Sequence, residues 1–211
     1  MNDSFHKVDL STFNNDWYGP QIGASRLKRV CWYFVNILFF INPLFIFGSL
    51  KIKILKAFGA SIGRGVVIKP SVNIKYPWKL KIGNHSWIGE HVWIDNLAEI
   101  TIGQHVCLSQ GAMLLTGNHN YKKIGFDLVI GKIELEDGVW IGAKSVVTPG
   151  VICHTHAVLA VQSVANKNLE SYTIYQGNPA LPRKKRVINQ NVNNLQMNKN
   201  EKNLNYYRML E

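Results

Sequence analysis

Residues 80–114 read LKIGNHSWIGEHVWIDNLAEITIGQHVCLSQGAML, and aliphatic residues recur in them at every sixth position with an occasional eight-residue step. The series begins at Ile62 and reaches Leu114 by spacings of 6, 6, 8, 6, 6, 8, 6 and 6, and it resumes from Leu135 to Ala165. The residue two positions earlier is mostly small or β-branched, and glycine often follows directly. A six-residue period is typical of a parallel β-helix, in which each hexapeptide forms one short strand and one corner.

Three such units return the chain to its starting face, one coil further along. The first coils have 20 residues because two extra residues enter near 77–79 and again near 98–99, whereas the later coils have 18. The aliphatic residue of each unit points into a narrow interior, and coils stack roughly 4.8 Å apart. The sequence therefore predicts an all-β solenoid over residues 59–166, whose stability is close to a sum over neighbouring coils.

Composition limits the partners and the compartment. The 211 residues carry a formal net charge of +11, which favours an anionic partner such as a phosphate-rich cofactor, an acidic membrane surface or nucleic acid. Cys31, Cys107 and Cys153 have neither metal-site spacing nor an even number for disulfides, and this pattern fits a reducing cytoplasm. The first 24 residues are polar and mixed, so we expect no cleavable signal peptide.

The chain divides into four segments. Residues 1–58 form a lead-in followed by an apolar stretch, and residues 59–166 form the β-helix. Residues 116–132 break the register, so we expect an excursion between coils, and loops of this length are often functional. Residues 167–189 leave the β-helix as a C-terminal segment that we expect to contact a coenzyme, and residues 190–211 are expected to form a flexible, extended tail rich in Asn, Gln and Lys.

The apolar stretch within residues 25–56 has two interpretations. Basic residues flank a run from Cys31 to Phe47 that is almost wholly apolar and aromatic, and Pro43 interrupts it. A membrane-spanning helix needs about 20 uninterrupted apolar residues, so a true span is disfavoured. Either a pair of helices caps the first coil, or a hairpin lies on a membrane surface where anionic lipid holds its basic flanks.

Five motifs carry a family resemblance. They are WIDNL at 93–97, LTGNHNYKK at 115–123, GVWIGAK at 138–144, VTPGV at 147–151 and YQGNPA at 175–180. With them, residues 25–188 resemble the hexapeptide-repeat acyltransferases, and most closely the O-acetyltransferases of the colanic-acid-biosynthesis type. The resemblance implies a left-handed β-helix, a homotrimer, and transfer of acetyl from acetyl-CoA to a sugar hydroxyl in surface-polysaccharide biosynthesis.

The resemblance also assigns a general base. In this family a histidine at the start of the excursion takes the proton of the attacking hydroxyl, and it matches His119. A neutral imidazole suits that task at cytoplasmic pH. The family commonly has Ser-His-Asp here, whereas this chain has Asn118-His119-Asn120, so the imidazole must be oriented by a backbone carbonyl, Asp95 or Asp127. Candidate acceptor contacts are Asp95, Asn96, Asn118 and Tyr121.

The resemblance places acetyl-CoA, as a co-substrate, in a groove between two subunits. The matching positions are Gly142, Ala143, Ala160, Val161, Asn178 and Pro179, with Arg183, Lys184 and Arg186 expected on the phosphates. A backbone N–H of Gly142 or Ala143 is the expected donor to the oxyanion. Many relatives have glycine at positions 154, 156 and 162, so the larger His154, His156 and Gln162 are expected to narrow this groove, to weaken acetyl-CoA binding, or to make this copy less active.

Other functions stay open at the level of sequence. Within acyltransferases, the acceptor could be the amino group of a nucleotide-sugar or the hydroxyl of a serine-type amino acid. A zinc enzyme resembling γ-carbonic anhydrase would use His85, His91 and His105. His85 and His105 lie one coil apart and stack, but His91 lies on the next face, so the three cannot converge within one subunit and we expect no metal.

A non-catalytic membrane scaffold is a further alternative. A nucleic-acid surface would use the exposed aromatic residues Trp78, Trp87, Trp93 and Trp140, but charge alone gives weak and unspecific binding, so we expect no nucleic-acid partner. The sequence thus predicts a cytoplasmic acetyltransferase, peripheral at the inner membrane, whose acceptor is a sugar or a lipid-linked oligosaccharide.

Overall fold

The protein is a three-sided parallel β-helix in a computed structural model that describes residues 7–189. Sheet I contains β1 (Ser61–Ile62), β4 (Leu80–Ile82), β7 (Ile100–Ile102), β12 (Ile133–Leu135) and β15 (Ile152–Cys153). Sheet II contains β2 (Val67–Ile68), β5 (Trp87–Ile88), β8 (Cys107–Leu108), β13 (Trp140–Ile141), β16 (Val158–Leu159), β18 (Thr173–Gly177) and β19 (Ala180–Lys185). Sheet III contains β3 (Asn73–Ile74), β6 (Trp93–Asp95), β9 (Met113–Leu115), β14 (Val146–Val147) and β17 (Val164–Ala165). Only β19 pairs antiparallel within these sheets.

The interior is built from the residues of the six-step. Ile74, Ile94 and Leu114 are fully buried and lie in register on successive coils of sheet III. Positions two residues before a step are also buried, and where they are serine the hydroxyl is satisfied: Ser145 Oγ donates to the Ala160 carbonyl at 2.6 Å. The parallel β-helix predicted from the hexapeptide period is therefore confirmed.

The three corners of the prism are not equivalent. The I–II and II–III corners keep the same short length in every complete coil, whereas the III–I corner carries all the extra residues. It holds the 3₁₀ turn Pro77–Lys79, residues 96–99, and then residues 116–132, which contain the antiparallel hairpin of β10 (Gly117–His119) and β11 (Leu128–Ile130). One edge of the solenoid is thus specialised.

Two helices and a π-helical turn pack on the first coil. Helix α1 (Arg26–Val35) begins after Ser25, whose hydroxyl accepts the Lys28 amide at 3.3 Å, and it continues into a π-helical segment (Asn36–Ile41). Helix α2 (Gly48–Ala57) follows after the break at Pro43. The buried Trp32, Phe40 and Leu55 extend the core of the β-helix. No helix within residues 7–189 is both long and apolar enough to cross a membrane.

The lead-in runs along the III–I corner, a position that its irregular sequence does not predict. It contains three 3₁₀ turns, Leu10–Thr12, Asp16–Tyr18 and Pro20–Ile22. Three hydrogen bonds attach it to successive coils: Trp78 Nε1 to the Ile22 carbonyl at 2.7 Å, the Tyr18 hydroxyl to the Leu97 carbonyl at 2.8 Å, and the Asp9 amide to the Ile124 carbonyl at 3.0 Å. We call residues 9–22 the N-terminal strap. The tail predicted at 190–211 lies outside the described residues.

Candidate active site

The base of the excursion is fixed to the coil below it. Thr116 is fully buried, and its hydroxyl donates to the Asp95 carbonyl at 2.8 Å while it accepts the Ala98 amide at 2.9 Å. The next residue is glycine, and a Cβ there would come within 2.5 Å of Leu97 Cδ1, so a larger residue would require the Leu97 side chain to move. These contacts set the direction in which β10 leaves the prism and so place His119, its last residue.

The hydrogen bond at Nδ1 determines the tautomer of the His119 imidazole. Nδ1 lies 2.8 Å from the carbonyl oxygen of Phe126, on the other side of the hairpin loop. A carbonyl can only accept, so in the neutral ring the proton is on Nδ1 and the lone pair is on Nε2. This is the arrangement that a general base needs, because one nitrogen is anchored and the other is free to take a proton.

Two aromatic side chains fix the plane of the same ring. The Phe126 ring stacks on the imidazole with centroids 4.5 Å apart and an interplanar angle of 9°. Phe13 of the N-terminal strap lies on it at 5.8 Å and 53°. Phe126 has φ of 53°, a left-handed conformation that is rare for a bulky residue. Such a conformation costs free energy and persists only where the surrounding structure holds it. Its carbonyl and its ring therefore act together on His119.

Of the orienting groups expected from the sequence, the backbone carbonyl fills the role. Asp127 Oδ2 instead pairs with Lys123 Nζ at 2.8 Å, and Asp95 Oδ1 lies 3.1 Å from Lys75 Nζ. A neutral carbonyl anchors the ring without placing a negative charge beside it. The Asn118 amide side chain closes a local turn by accepting the His119 backbone N–H at 2.8 Å.

The four candidate acceptor contacts differ in accessibility. Asn118 is exposed, and Tyr121 is 74% exposed beyond the end of β10. Asn96, in contrast, is fully buried, and its side chain accepts the Tyr76 amide at 2.9 Å and donates to the Tyr76 carbonyl at 2.6 Å. Asn96 thus holds two coils together at the III–I corner and has no polar atom left for a substrate.

Asp95 lines a cleft of about 400 Å³ between the α1 side of the molecule and sheet III. Aromatic and polar groups alternate around it, among them Trp32, Tyr33, Trp93 and Asn36. Two buried atoms here lack a hydrogen-bond partner among the described residues, Arg29 Nε and Asp95 Oδ1. Lys75 is close enough to Asp95 for an ion pair, but it does not point at Oδ1 in hydrogen-bond geometry. A carboxylate, amides and aromatic faces in one cleft suit a polyhydroxylated ligand.

The candidate coenzyme residues come together at the II–III corner of the last coils. Gly142 and Ala143 lie directly below Ala160 and Val161, and a Cβ at Gly142 would meet the Val161 nitrogen at 2.6 Å. The turn between β18 and β19, with Asn178 and Pro179, reaches the same corner because the Gly177 amide donates to Ser163 Oγ at 2.9 Å. We call this group the coenzyme corner.

The two candidate oxyanion donors differ in whether their N–H group already donates a hydrogen bond. The Gly142 N–H donates to the Leu159 carbonyl at 2.7 Å as part of the coil ladder. The Ala143 N–H donates to no group within the described part of the chain. Of these two amides, that of Ala143 is therefore the one available to a developing oxyanion.

The predicted phosphate-binding cations lie at different places. Arg183 and Lys184 are exposed on β19, the strand that leads away from the coenzyme corner. Arg186 lies at the I–II corner, where its Nη1 donates to the carbonyls of Gly138 at 2.8 Å and His156 at 3.1 Å. Its guanidinium joins two coils on the far side of sheet II.

Of the three residues expected to narrow the coenzyme groove, two lie elsewhere. His154 and His156 belong to the I–II corner, where His154 Nδ1 lies 2.9 Å from Glu136 Oε1 and His156 stacks on Tyr172 at 4.8 Å. Only Gln162 occupies the II–III corner, with φ of 54°. The expectation is wrong for the two histidines because a six-residue spacing alternates between corners.

The two groups of candidate residues lie at different corners of one chain. His119 leaves the prism at the III–I corner, whereas the coenzyme corner lies between sheets II and III. Sheet III separates the two on the same molecule. The excursion also exposes Ile124 and Val129, which are apolar.

The corner histidines have a structural explanation. His85 and His105 stack at 5.3 Å, as their 20-residue spacing predicts, and both have left-handed φ values at the I–II corner. Within residues 7–189 no group of three His, Cys, Asp or Glu side chains is arranged to hold a metal ion. The tryptophans are also dispersed: Trp87 and Trp140 lie on sheet II, Trp93 lies on sheet III, and Trp78 bonds to the N-terminal strap.

Known proteins resemble the chain in sequence and in fold. No protein-family model matches it. The protein named "Putative colanic acid biosynthesis acetyltransferase WcaF" of Escherichia coli (strain K12) is 34% identical over 165 residues, which cover 78% of this chain and 91% of that protein.

Two solved acetyltransferases share the architecture. The hexapeptide-repeat acetyltransferase VCA0836 of Vibrio cholerae superposes with a TM-score of 0.70 at 23% identity, covering 79% of this chain and 96% of that one, and a second structure of it contains acetyl coenzyme A. A maltose O-acetyltransferase of Clostridium difficile 630 gives a TM-score of 0.70 at 22% identity, with coverage of 78% and 90%. The fold is accordingly the left-handed parallel β-helix of hexapeptide-repeat acetyltransferases.

Proposed function

The chain belongs to the hexapeptide-repeat acetyltransferase family, and on that premise we propose that it moves acetyl from acetyl-CoA to a hydroxyl of a surface-polysaccharide sugar with His119 as general base. The observation that carries the proposal is the hydrogen bond from His119 Nδ1 to the Phe126 carbonyl, which leaves Nε2 unprotonated and free. The relative from Escherichia coli supports the acceptor class by its name, and the acetyl coenzyme A complex of VCA0836 supports the donor.

The reaction proceeds by direct transfer. Nε2 of His119 takes the proton of the sugar hydroxyl as its oxygen attacks the thioester carbonyl, and the Ala143 N–H stabilises the oxyanion that forms. The C–S bond then breaks, and the imidazolium returns its proton to the departing thiolate. An acyl-enzyme on Cys107 or Cys153 is disfavoured, since burial raises the pKa of the Cys107 thiol and raises that of Cys153 to about 12.

The coenzyme corner fits an extended thioester. Gly142, Ala143 and Ala160 present little side-chain bulk, so a pantetheine arm can approach the backbone there. Arg183 and Lys184 are exposed on β19 for the phosphates. Arg186 is less suited because two carbonyl groups already hold its Nη1.

The catalytic unit of the proposal is a homotrimer. His119 and the coenzyme corner lie on different corners of one prism, so the base of one subunit must serve the thioester held by its neighbour. A cyclic trimer brings such unlike surfaces together three times and closes without free ends. The exposed apolar residues of the excursion are then covered by the adjacent subunit.

The acceptor occupies the cleft between α1 and sheet III that Asp95 lines. The partly exposed Asp95 carboxylate binds sugar hydroxyls, and the exposed ring of Trp93 packs on a face of the sugar. We place the protein in the cytoplasm, where acetyl-CoA is made, and at the inner membrane, where its acceptor is carried on a lipid.

A thiol-release assay tests the proposal. With acetyl-CoA and a panel of free and lipid-linked saccharides, His119→Ala should lower kcat by about 10²- to 10⁴-fold, the usual contribution of a general base. Lys122→Ala changes an exposed side chain of the same excursion and should leave kcat within twofold, which is about the effect of a neutral surface change. Unchanged kcat in His119→Ala would remove His119 from the base role. If serine or an amino-sugar nucleotide were acetylated and no saccharide were, the proposed sugar-hydroxyl acceptor would be wrong.

A further inference from the structure

The N-terminal helices leave a large apolar surface uncovered. Six side chains that are each more than half exposed define it, and we call them the apolar face: Leu27, Phe34, Leu38, Leu44, Ile46 and Phe47. Leu44 is 85% exposed at the turn between the π-helical segment and α2. An apolar patch of this size on a folded protein marks an interaction surface.

The apolar face arises because the N-terminal segment is apolar on more sides than the one that packs against the β-helix. Trp32, Asn36 and Phe40 are spaced by four residues and are buried against the first coil. Phe34 and Leu38 have the same spacing on another side and contact solvent. Packing on the β-helix therefore explains one stripe of the helix, while the second stripe needs another partner.

The charge around the face identifies the chemistry of that partner. Residues 17–89 contain eleven Lys and Arg and no Asp or Glu, and the rest of the chain has as many acidic as basic residues. The whole net charge of +11 thus belongs to the stretch that carries the apolar face. Arg26, Lys53 and Lys56 are exposed on the flanking helices. Apolar side chains framed by cations complement the surface of an anionic bilayer.

We propose that the apolar face inserts into the headgroup region of an anionic membrane and holds the enzyme there as a peripheral protein. Helix α1 and the π-helical segment that continues it span residues 26–41, at most about 24 Å, which is shorter than the bilayer core of about 30 Å, so we place this segment in the plane of the interface. Cations on both sides contact the lipid phosphates while the turn at Leu44–Phe47 enters the acyl boundary.

Docking in this way also positions the acceptor cleft. Arg29, Trp32 and Tyr33 of α1 line that cleft, and Tyr33 is itself exposed next to Phe34 of the apolar face. The entrance of the cleft therefore lies close to the membrane surface when the face is inserted. This step deepens the proposed function, because it requires the cleft to be the acceptor site, whereas membrane binding itself does not depend on catalysis.

Sedimentation with lipid vesicles tests the inference on the full chain. Wild-type protein should bind vesicles of phosphatidylcholine with 30% phosphatidylglycerol, a composition of about one anionic lipid in three that gives a strong negative surface potential, and bind pure phosphatidylcholine at least about tenfold less. Leu44→Ser with Phe47→Ser, and separately Lys53→Glu with Lys56→Glu, should each weaken binding by about tenfold or more. Failure of the wild type to bind the anionic vesicles would overturn the inference.

A matched charge reversal shows whether the effect is local. Lys122→Glu with Lys167→Glu makes the same change of net charge away from the face and should reduce binding by less than about threefold. If both charge-reversed variants lost vesicle binding equally, the attraction would depend only on net charge, and the inference would be overturned. A changed oligomeric state in the Leu44 and Phe47 variant would assign the face to a second copy of the chain, with the same consequence.

Catalysis and docking are separable in the same experiment. His119→Ala should bind vesicles like the wild type, and the docking variants should keep their kcat on a water-soluble acceptor. Vesicle binding without thiol release in the wild type would overturn the acetyltransfer proposal alone. Thiol release without vesicle binding would overturn the docking proposal alone.

Discussion

At the scale of single residues, the candidate base is controlled by a residue that the sequence did not single out. Phe126 contributes a carbonyl to His119 Nδ1 and a ring to the face of the imidazole. Any residue at position 126 would supply the backbone carbonyl, so the phenylalanine side chain matters only for the stacking. Phe126 is thus a positioning residue, which acts through His119 and does not touch the reacting atoms.

Substitutions at Phe126 distinguish the contribution of its ring from that of its backbone carbonyl. Phe126→Ala keeps the hydrogen bond but removes the stacking, which is worth about 1 kcal/mol for such a pair, so kcat should fall about fivefold. The KM for acetyl-CoA should not change, because the thioester binds at another corner. Phe126→Tyr retains the ring and should keep the wild-type kcat. A rise in KM with constant kcat would show that the ring binds substrate instead.

The carboxylate of Glu136 makes stability depend on pH at acid values. It accepts hydrogen bonds from the Thr155 hydroxyl at 2.7 Å, from the Thr155 amide at 2.6 Å and from His154 at 2.9 Å, and these bonds lower its pKa below the ordinary value of 4.5. The folded state therefore binds the proton less readily than the unfolded state. Its stabilisation is complete above pH 4.5 and is lost as the pH falls through the folded pKa.

Glu136→Gln should accordingly lower the free energy of unfolding at pH 7 by about 1 kcal/mol. The deficit should be smaller at about pH 3, below the ordinary pKa of 4.5, because the wild-type carboxyl gains its proton as the pH falls through the lowered folded pKa. Thermal unfolding at both pH values measures it. Glu134→Gln, at an exposed position on the preceding strand, is the control and should change little at either pH. An equal deficit at pH 3 would assign the effect to shape and not to charge.

At the scale of elements, the strands were predictable and the contacts between the irregular segments were not. Each six-step aliphatic, such as Ile82 or Ile141, lies on a strand because interior packing repeats with the coil. Asn96 is different, since it lies at the start of the lengthened III–I corner (residues 96–99), where the repeat does not predict the direction of a side chain. Arg186 reaches the I–II corner because β19 runs antiparallel along β18, and its register depends on a turn that periodicity does not describe.

The N-terminal strap illustrates the same limit and has a testable role. Its sequence has no period, so nothing in it indicates that it follows the III–I corner to His119. Tyr18 is its principal anchor, being buried with its hydroxyl on the Leu97 carbonyl, and Lys79 Nζ lies 5.0 Å from its ring centroid. Removing that anchor should free the strap and withdraw Phe13 from the imidazole.

Tyr18→Ala should therefore make residues 9–22 sensitive to limited proteolysis and lower kcat by about threefold or more, as expected for loss of an aromatic contact. Gln21→Ala, an exposed change in the same segment, should alter neither measurement. Phe13→Ala should lower kcat without exposing the strap to protease. Proteolysis of Tyr18→Ala with an unchanged kcat would separate the strap from catalysis.

At the scale of the whole molecule, the prism distributes its functions over separate corners. The III–I corner carries the excursion, the strap and the stacked imidazole, while the II–III corner carries the small residues for the coenzyme. The N-terminal helices carry the apolar face, and residues 17–89, which include these helices, carry the net positive charge. Because corners of one rigid prism cannot approach each other, the proposed reaction requires subunits to associate so that the base and the thioester meet.

Mixed trimers test this arrangement. A His119→Ala chain lacks the base, and an Ala143→Trp chain has its coenzyme corner blocked by bulk at a half-exposed position, so each homotrimer should be inactive. When equal amounts are unfolded and refolded together, a site that takes its base from one chain and its corner from the next is intact in about one case in four, the random expectation for a cyclic trimer. Thiol release should therefore return to about a quarter of the wild-type rate, with both parents trimeric by sedimentation as the control. Mixtures that stay as inactive as their parents would mean that one chain supplies both groups, and the site would then have to form within a single subunit.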